Sequence, residues 1–328
     1  MKAVLMTAAG GPEVLQVADV PLPEPGPGQV RVRLRAAGVN PVDAKIRAKA
    51  HFATTQPAIP GLDGAGVVDA TGPGVTEWRP GDEVWFCNGG LGGEPGNYAE
   101  YTLVGTHIAR RKPATLSFEE AAAAPLVLIT AWEALYDRAA LTEGQTVLIH
   151  GGAGGVGHIA VQLARLRGAR VCATATGDAH RRFVQSLGAN LVIDHQQEDF
   201  VQAVLDWTDG RGADVALDII GGDVFQRTLE AMAHYGTVVT LLDPGTPAWK
   251  PARDRNLRIA FELMLTPMLA GLPEARAHQG EILDQCARWF DEGRLKIHVS
   301  RRLPLEQARQ AHELIEQGHT QGKIVLVP

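Results

Sequence analysis

The sequence predicts an α/β fold in two parts: an irregular, mostly β part and a doubly wound parallel sheet inserted into it. Three observations carry this reading. Over the first hundred residues, short apolar runs are broken at close intervals by Gly and Pro. From about residue 118 to about residue 242, buried-strand and helix patterns alternate, the signature of a parallel sheet covered on both faces. The last part, from residue 274, reverts to a mixed pattern that ends in an apolar strand, Lys323-Ile-Val-Leu-Val327.

Taken in order, residues 2–6, 29–37 and 64–70 read as strands. Between the first two lies Pro21-Leu-Pro-Glu-Pro-Gly-Pro-Gly28, where proline forbids both helix and central strand. Arg79-Pro-Gly-Asp-Glu-Val-Trp85 is a turn feeding a strand. Ser117 caps a helix starting at Phe118, with Glu120 in capping-box position. Strands are then expected at 146–150, 170–175, 191–194, 214–219 and 237–242, with helices at 156–167, 179–187, 198–207 and 223–233. A helix at 274–292, a strand at 296–299, a helix at 304–317 and a strand at 323–327 follow. This tail is expected to return and complete the first part.

The chain has 328 residues, and about 150 residues per domain predicts two domains. With 45% hydrophobic and 21% charged residues, the chain has apolar material for two cores. A net charge of −6 with scattered Lys and Arg argues against a nucleic-acid partner, which wants a basic face. The longest apolar stretches, around 120–132 and 259–272, are too short or too interrupted to span a bilayer. Residues 1–5 run straight into a strand pattern rather than a leader pattern, so a cytoplasmic location is expected. Cys87, Cys172 and Cys286 are far apart, unlike a disulfide framework or a four-cysteine zinc lobe. Each reads as a small buried hydrophobe.

The most informative segment is Thr146-Val-Leu-Ile-His-Gly-Gly-Ala-Gly-Gly-Val-Gly-His158. Gly152, Gly154 and Gly157 form G-x-G-x-x-G directly after a strand and at the opening of an amphipathic helix. The first glycine permits a tight turn, the second lets backbone approach a pyrophosphate, and the third lets helix and strand pack closely. The helix N-terminus adds free N–H groups and a positive dipole end. A dinucleotide site follows. NAD sites place Asp or Glu at the end of the second strand for the ribose 2′-OH. Here Thr174, Ala175 and Thr176 leave room for a 2′-phosphate, and His180, Arg181 and Arg182 supply positive charge. Asp178 comes too late to be the ribose carboxylate. The expected cofactor is NADPH.

With these segments the chain resembles a medium-chain dehydrogenase/reductase, and within that superfamily the zinc-independent quinone oxidoreductase (zeta-crystallin-like) branch. The resemblance covers nearly the whole chain. Its markers are Gly38-Val-Asn-Pro-Val-Asp-Ala-Lys-Ile-Arg47, Pro60-Gly-Leu-Asp-Gly-Ala-Gly66, Pro80-Gly-Asp-Glu-Val84, Gly96-Asn-Tyr-Ala-Glu-Tyr101, Glu120 to Pro125, Thr130-Ala-Trp132, the glycine loop, Leu187-Gly-Ala189 and Gly322-Lys-Ile-Val325. It implies a GroES-like catalytic domain from residues 1–124 and 268–328, a Rossmann NADPH-binding domain from 125–267, an active site in the cleft between them, and a homodimer formed by edge pairing of Rossmann sheets. Zinc-dependent relatives carry Cys where Asn40 stands and a His-Glu pair where Leu62-Asp63 stands. Asn40 and Leu62 do not supply the ligands catalytic zinc needs, so no metal is expected.

By position, the resemblance implies cofactor contacts from Asn40, Thr130, Ala153, Gly154, Gly155, Val156, Thr176, His180 and His195, with Leu241 near the nicotinamide. Gly152, Gly157 and Arg181 join them from the motif and the charge pattern. Lys45 stands where some relatives carry Tyr, and His195 where Tyr is common. The expected reaction is hydride transfer from the nicotinamide to a quinone or an α,β-unsaturated carbonyl, the protein supplying orientation and electrostatics. Lys45 is the candidate donor to the developing oxyanion, and the proton comes from Lys45, His51 or water. Asn40 is a candidate nicotinamide or ribose contact, and Asp43 either caps the local turn or orients Lys45. Residues 244–272 are expected to line the substrate cleft, with Met264, Leu265 and Met268 as an apolar wall. Alternatives are an alcohol dehydrogenase, an enoyl-thioester reductase, or an NADPH-binding protein without turnover.

Overall fold

Strand β1 (Lys2–Met6) pairs antiparallel with β2 (Leu15–Asp19). After the proline-rich stretch comes β3 (Gln29–Val39). Its alternating Val30, Val32 and Leu34 are buried together with Val68, Val84, Phe86 and Val104 in one core, the two-residue period of a strand with one face inward. Next come α1 (Pro41–Lys49), β4 (Asp63–Thr71), β5 (Glu83–Cys87), β6 (Tyr101–Gly105), β7 (Arg110–Arg111) and α2 (Phe118–Ala123). The expected capping box is present at α2: Ser117 accepts from the Glu120 N–H, and Glu120 reaches back to the Ser117 N–H. This computed structural model describes residues 1–49, 56–91, 93–318 and 320–328. They form two compact units, Met1–Leu126 with Thr266–Pro328, and Val127–Leu265.

The second unit carries α3 (Pro125–Trp132) over most of its length, then β8 (Thr146–Ile149), α4 (Gly155–Leu166), β9 (Arg170–Thr174), α5 (Asp178–Ser186), β10 (Leu191–Ile193) and α6 (Phe200–Trp207). It continues through β11 (Ala213–Asp218), α7 (Gly222–Thr228), β12 (Met232–Thr240), α8 (Lys250–Asp254) and β13 (Arg258–Phe261). Among the described residues the sheet order is β10-β9-β8-β11-β12-β13, and every pairing is parallel. This is the doubly wound Rossmann order, which reverses beside the first strand and opens a crevice at the strands' carboxyl ends. Cys172 is buried in its core with Leu148, Phe200, Phe225 and Val238.

Two sequence expectations are corrected here. The helix expected at 223–233 stops at Thr228, and β12 begins at Met232. Leu229, Glu230, Ala231 and Met232 favour helix intrinsically, but pairing of Ala213 with Met232 on β11 overrides that preference. Strand β13 was not expected; it is a short edge strand whose Phe261 is exposed, so it lacks a buried-strand pattern. Of the residues expected as an apolar wall of the substrate cleft, Met264 and Leu265 are buried and Met268 is half-buried.

The tail folds into α9 (Thr266–Leu269), α10 (Pro273–Asp291), β14 (Val299–Pro304), α11 (Ala308–Gln317) and β15 (Lys323–Val327). Strand β14 starts three residues later than the strand expected at 296–299. The first residues of the helix expected at 304–317 form a 3-10 turn, Leu305–Gln307. Strand β15 pairs antiparallel with β3, Ile324 facing Val39, Val325 Gly38 and Leu326 Ala37. That register brings Lys323 beside Asn40.

Candidate active site

The loop after β8 leads into α4 through Gly154 at the N-cap. Gly151 takes φ +60, a left-handed conformation natural to glycine. Its N–H donates to the Thr174 hydroxyl at 3.0 Å, and the Gly152 N–H donates to the Thr174 carbonyl at 2.8 Å. Thr174, expected only to leave room for a phosphate, is thus a support for the loop. A Cβ on Gly157 would lie 2.1 Å from the Gly151 carbonyl oxygen, so helix and loop touch backbone to backbone. On Gly154 a Cβ would stand 3.3 Å from the Gly151 carbonyl oxygen, a tight contact but one far milder than that at Gly157. The first-turn N–H groups of Gly155 and Val156 have no intrahelical acceptor, as helix geometry requires. These features fit a dinucleotide pyrophosphate.

Beyond the carboxyl end of β9, Thr176 Oγ1 lies 3.2 Å from His195 Nδ1, and His180 Nδ1 lies 3.1 Å from the Thr176 carbonyl oxygen. Thr176, His180 and His195 are therefore brought together. Arg181 faces Asp178 at 3.7 Å, and its Nε is buried without a hydrogen-bond partner. Asp194, buried after β10, accepts from the Gly177 N–H at 3.1 Å, and that bond holds its carboxyl below the usual carboxylate range. Leu241, half-buried, follows β12 and donates its N–H to the Asp218 carbonyl. Asp218 was missed at the sequence level. Its Oδ1 accepts from the Ile220 and Gly221 N–H groups at 3.0 and 2.9 Å, and its Oδ2 from the Thr240 hydroxyl at 2.9 Å. It shapes the turn next to the glycine loop, where Ile219 stands 3.1 Å from the place of a Gly151 Cβ. Thr130 is buried on α3.

In the first unit, Asn40 is fully buried. Its Nδ2 donates to Asp63 Oδ2 at 2.9 Å, and its Oδ1 accepts from Lys323 Nζ. Lys323, also buried, donates further to the Val39 carbonyl at 3.1 Å, and Asp63 Oδ1 accepts from the Leu126 N–H at 2.9 Å. Both ends of the Asn40 amide are thus engaged inside the unit. Asp43 caps the local turn and does not orient Lys45; its Oδ2 accepts from the Asn40 N–H at 2.8 Å and from Tyr98 Oη at 3.3 Å. Burial pushes the Asp43 carboxyl up to about 7. Burial also raises Asp63 and lowers Lys323, each against the pull of the other's charge. Lys45 is exposed on α1 and lines a groove of about 570 Å³ with Pro41, Ala44, Ala48, Ile315 and Glu316. His51 lies outside the described residues.

Two sequence markers turn out to be one structure. The Asn97 and Tyr98 N–H groups donate to the carbonyls of Gly61 and Pro60, and Asn97 Nδ2 donates to the Leu62 carbonyl at 2.9 Å. Gly61 has φ +97, and its missing Cβ makes room for the Tyr98 ring. Leu62 is fully buried. Its side chain offers nothing to zinc, and the ammonium of Lys323 already occupies the Asn40 amide oxygen. The residues present do not fit that metal.

A Rossmann unit with a glycine loop at its switch point, joined to a β unit closed by the chain's own tail, defines a medium-chain dehydrogenase/reductase, an oxidoreductase. Residues 26–114 match the alcohol dehydrogenase GroES-like domain family and residues 187–326 the zinc-binding dehydrogenase family. Quinone oxidoreductase from Homo sapiens is 30% identical over 330 residues, covering 100% of this chain and 98% of its own. Among solved structures, Escherichia coli quinone oxidoreductase complexed with NADPH is 27% identical with a TM-score of 0.90, covering 100% of both chains. An NAD-dependent alcohol dehydrogenase is 35% identical with a TM-score of 0.90 and the same coverage. A 2-haloacrylate reductase is 30% identical with a TM-score of 0.83, over 100% of this chain and 99% of its own. The chain belongs to the quinone oxidoreductase branch of the medium-chain dehydrogenase/reductase family.

Proposed function

We propose that the chain reduces quinones, or alkenes activated by a carbonyl, with NADPH and without a metal. The observation that carries this reading is the pairing of an intact pyrophosphate cradle with a lysine ammonium bonded to the amide of Asn40, which stands where zinc-dependent relatives carry a cysteine. Bound NADPH supplies a hydride. The Gly155 and Val156 N–H groups and the positive end of α4 hold its pyrophosphate, while Gly152, Ala153, Gly154 and Gly157 let the backbone approach. Thr176, His180, Arg181 and His195 take the 2′-phosphate end, and Thr130 and Leu241 flank the nicotinamide end. Lys45 steadies the oxyanion that develops as an electron-poor alkene accepts hydride. The proton then comes from Lys45, His51 or water. Asn40 contributes from inside, by holding the start of α1. Cytoplasmic residence and a homodimer belong to the same proposal.

The 2-haloacrylate reductase likeness favours activated alkenes as a second acceptor class beside quinones. The test is oxidation of NADPH and NADH by chelator-treated protein with 1,4-benzoquinone, 9,10-phenanthrenequinone and an α,β-unsaturated ketone. Turnover with NADPH that survives chelation is expected. Tight NADPH binding with no oxidation by any acceptor overturns the reading. Thr176→Asp, which puts a carboxylate where the 2′-phosphate would lie, is expected to raise KM for NADPH at least tenfold and leave KM for NADH within about threefold.

A further inference from the structure

The geometry points to Lys323 as a positioning residue for the reductase site: its buried ammonium fixes the Asn40 amide and, through it, the start of the helix that carries Lys45. This rests on the reading that Lys45 serves the reaction. Lys323 arrives from the far end of the chain, on β15, and Asn40 directly follows the β3 segment that β15 pairs with. An ammonium has only donors and a carboxylate only acceptors. Between Lys323 and Asp63, the Asn40 amide therefore has one orientation, oxygen toward Lys323 and nitrogen toward Asp63.

The consequence falls on α1. Asn40 stands at its N-cap, with Pro41 at the first helical position, a residue suited to that place. An N-cap Asn ordinarily turns its own oxygen onto the helix N–H groups. Here that oxygen belongs to Lys323, and the cap is made from the other side, the Asp43 carboxylate accepting from the Asn40 N–H. Lys45 follows two residues after Asp43 on the same turn. Charge is matched locally: Asp63 and Asp43 both act on Lys323, Cys87 lies beside them, and Tyr98 and His312 close the far side of Asp43. Gly38, one strand residue away, has no room for a Cβ, which would stand 2.4 Å from the Ala122 carbonyl oxygen and 2.9 Å from Asp63 Cβ. The cluster is held from every side.

The experiment compares wild type, Lys323→Met, and Lys323→Met with Asp63→Asn, in which buried charge is balanced again. Each is read for melting temperature, NADPH affinity by fluorescence, kcat with the preferred acceptor, and hydrogen exchange of residues 41–49. The expected result is a kcat at least tenfold lower in both variants, with NADPH Kd within about twofold of wild type and exchange in 41–49 accelerated. The double variant is expected to regain melting temperature but not kcat. Recovery of both kcat and slow exchange in the double variant overturns the proposal, since Lys323 would then only neutralise Asp63; so does full kcat in Lys323→Met. Where Lys323→Met fails to fold, the double variant carries the same comparison. Wild-type protein without turnover on any acceptor defeats the proposed function alone, and the exchange of 41–49 then decides the role of Lys323.

Discussion

At the scale of single residues, the last two glycines of the G-x-G-x-x-G motif separate folding from binding. Alanine at Gly157 forces backbone against backbone, 2.1 Å from the Gly151 oxygen, where nothing flexible gives way. Gly157→Ala is expected to lower the melting temperature and abolish NADPH binding together. Gly154 has an extended conformation, and a Cβ there would meet the Gly151 oxygen at 3.3 Å, a contact that a shift of a few tenths of an ångström relieves. Gly154→Ala is expected to lower the melting temperature far less than Gly157→Ala, yet to weaken NADPH at least tenfold in a fluorescence titration. Normal binding by that variant would remove the pyrophosphate from this loop. The G-x-G-x-x-G pattern was legible in the sequence because each glycine answers a local steric demand. Thr174, which braces the loop, and Asp218, which shapes the turn beside it, were not, because Thr174 meets Gly151 and Asp218 meets Thr240 only once the sheet has formed.

At the scale of the element, α1 depends on a buried acid. Asp43 Oδ2 caps the turn, while its Oδ1 is buried without a hydrogen-bond partner. An acid held near 7 in the fold, against about 3.9 when unfolded, keeps its proton longer in the native state. Its contribution to stability is therefore full at low pH and is lost as pH rises from about 4 to about 7. Asp43→Asn keeps an acceptor and has no charge to bury. It is expected to match wild type in melting temperature at pH 4 and below and to exceed it increasingly up to pH 8; equal curves across that range would mean that Asp43 titrates normally. Element identity was clear in the sequence wherever period and caps agreed, as at Ser117 and Glu120. It failed at residues 229–233, where helix-favouring side chains instead turn out of α7 and begin a strand that β11 pairs with. A propensity summed along the chain does not see the neighbouring strand.

For the whole molecule, two histidines work against Asp43. His150 is buried at the end of β8, 2.8 Å from the Thr228 hydroxyl, and burial pushes it down to about 4. His312 on α11 is buried against Tyr98 at 3.2 Å, and burial pushes it down to about 3. Each takes up a proton in the unfolded chain near pH 6.5 but stays neutral in the fold until far lower. Each therefore withdraws stability as pH falls, by about 1.4 kcal/mol per pH unit between those limits. One lies in each unit, so the melting temperature of both is expected to fall between pH 6.5 and pH 4. His150→Gln is expected to flatten that slope for the second unit and His312→Gln for the first, checked by calorimetry across the range. An unchanged slope in both variants would assign acid sensitivity elsewhere.

The fold class, the dinucleotide cradle and the lack of zinc-ligand side chains at Asn40 and Leu62 could all be read along the chain. Those features are local: steric demands of a turn, the period of a strand or helix, and the chemistry of a side chain hold wherever the segment goes. Folding in three dimensions was needed to close Asn40 inside its unit, to bring Thr176, His180 and His195 together, and to deliver an ammonium from the last strand to the first helix's cap. Lys323 and Asn40 are 283 residues apart in the chain. Their contact follows from the register of β15 on β3, and register is a property of two paired strands that neither strand's sequence shows alone.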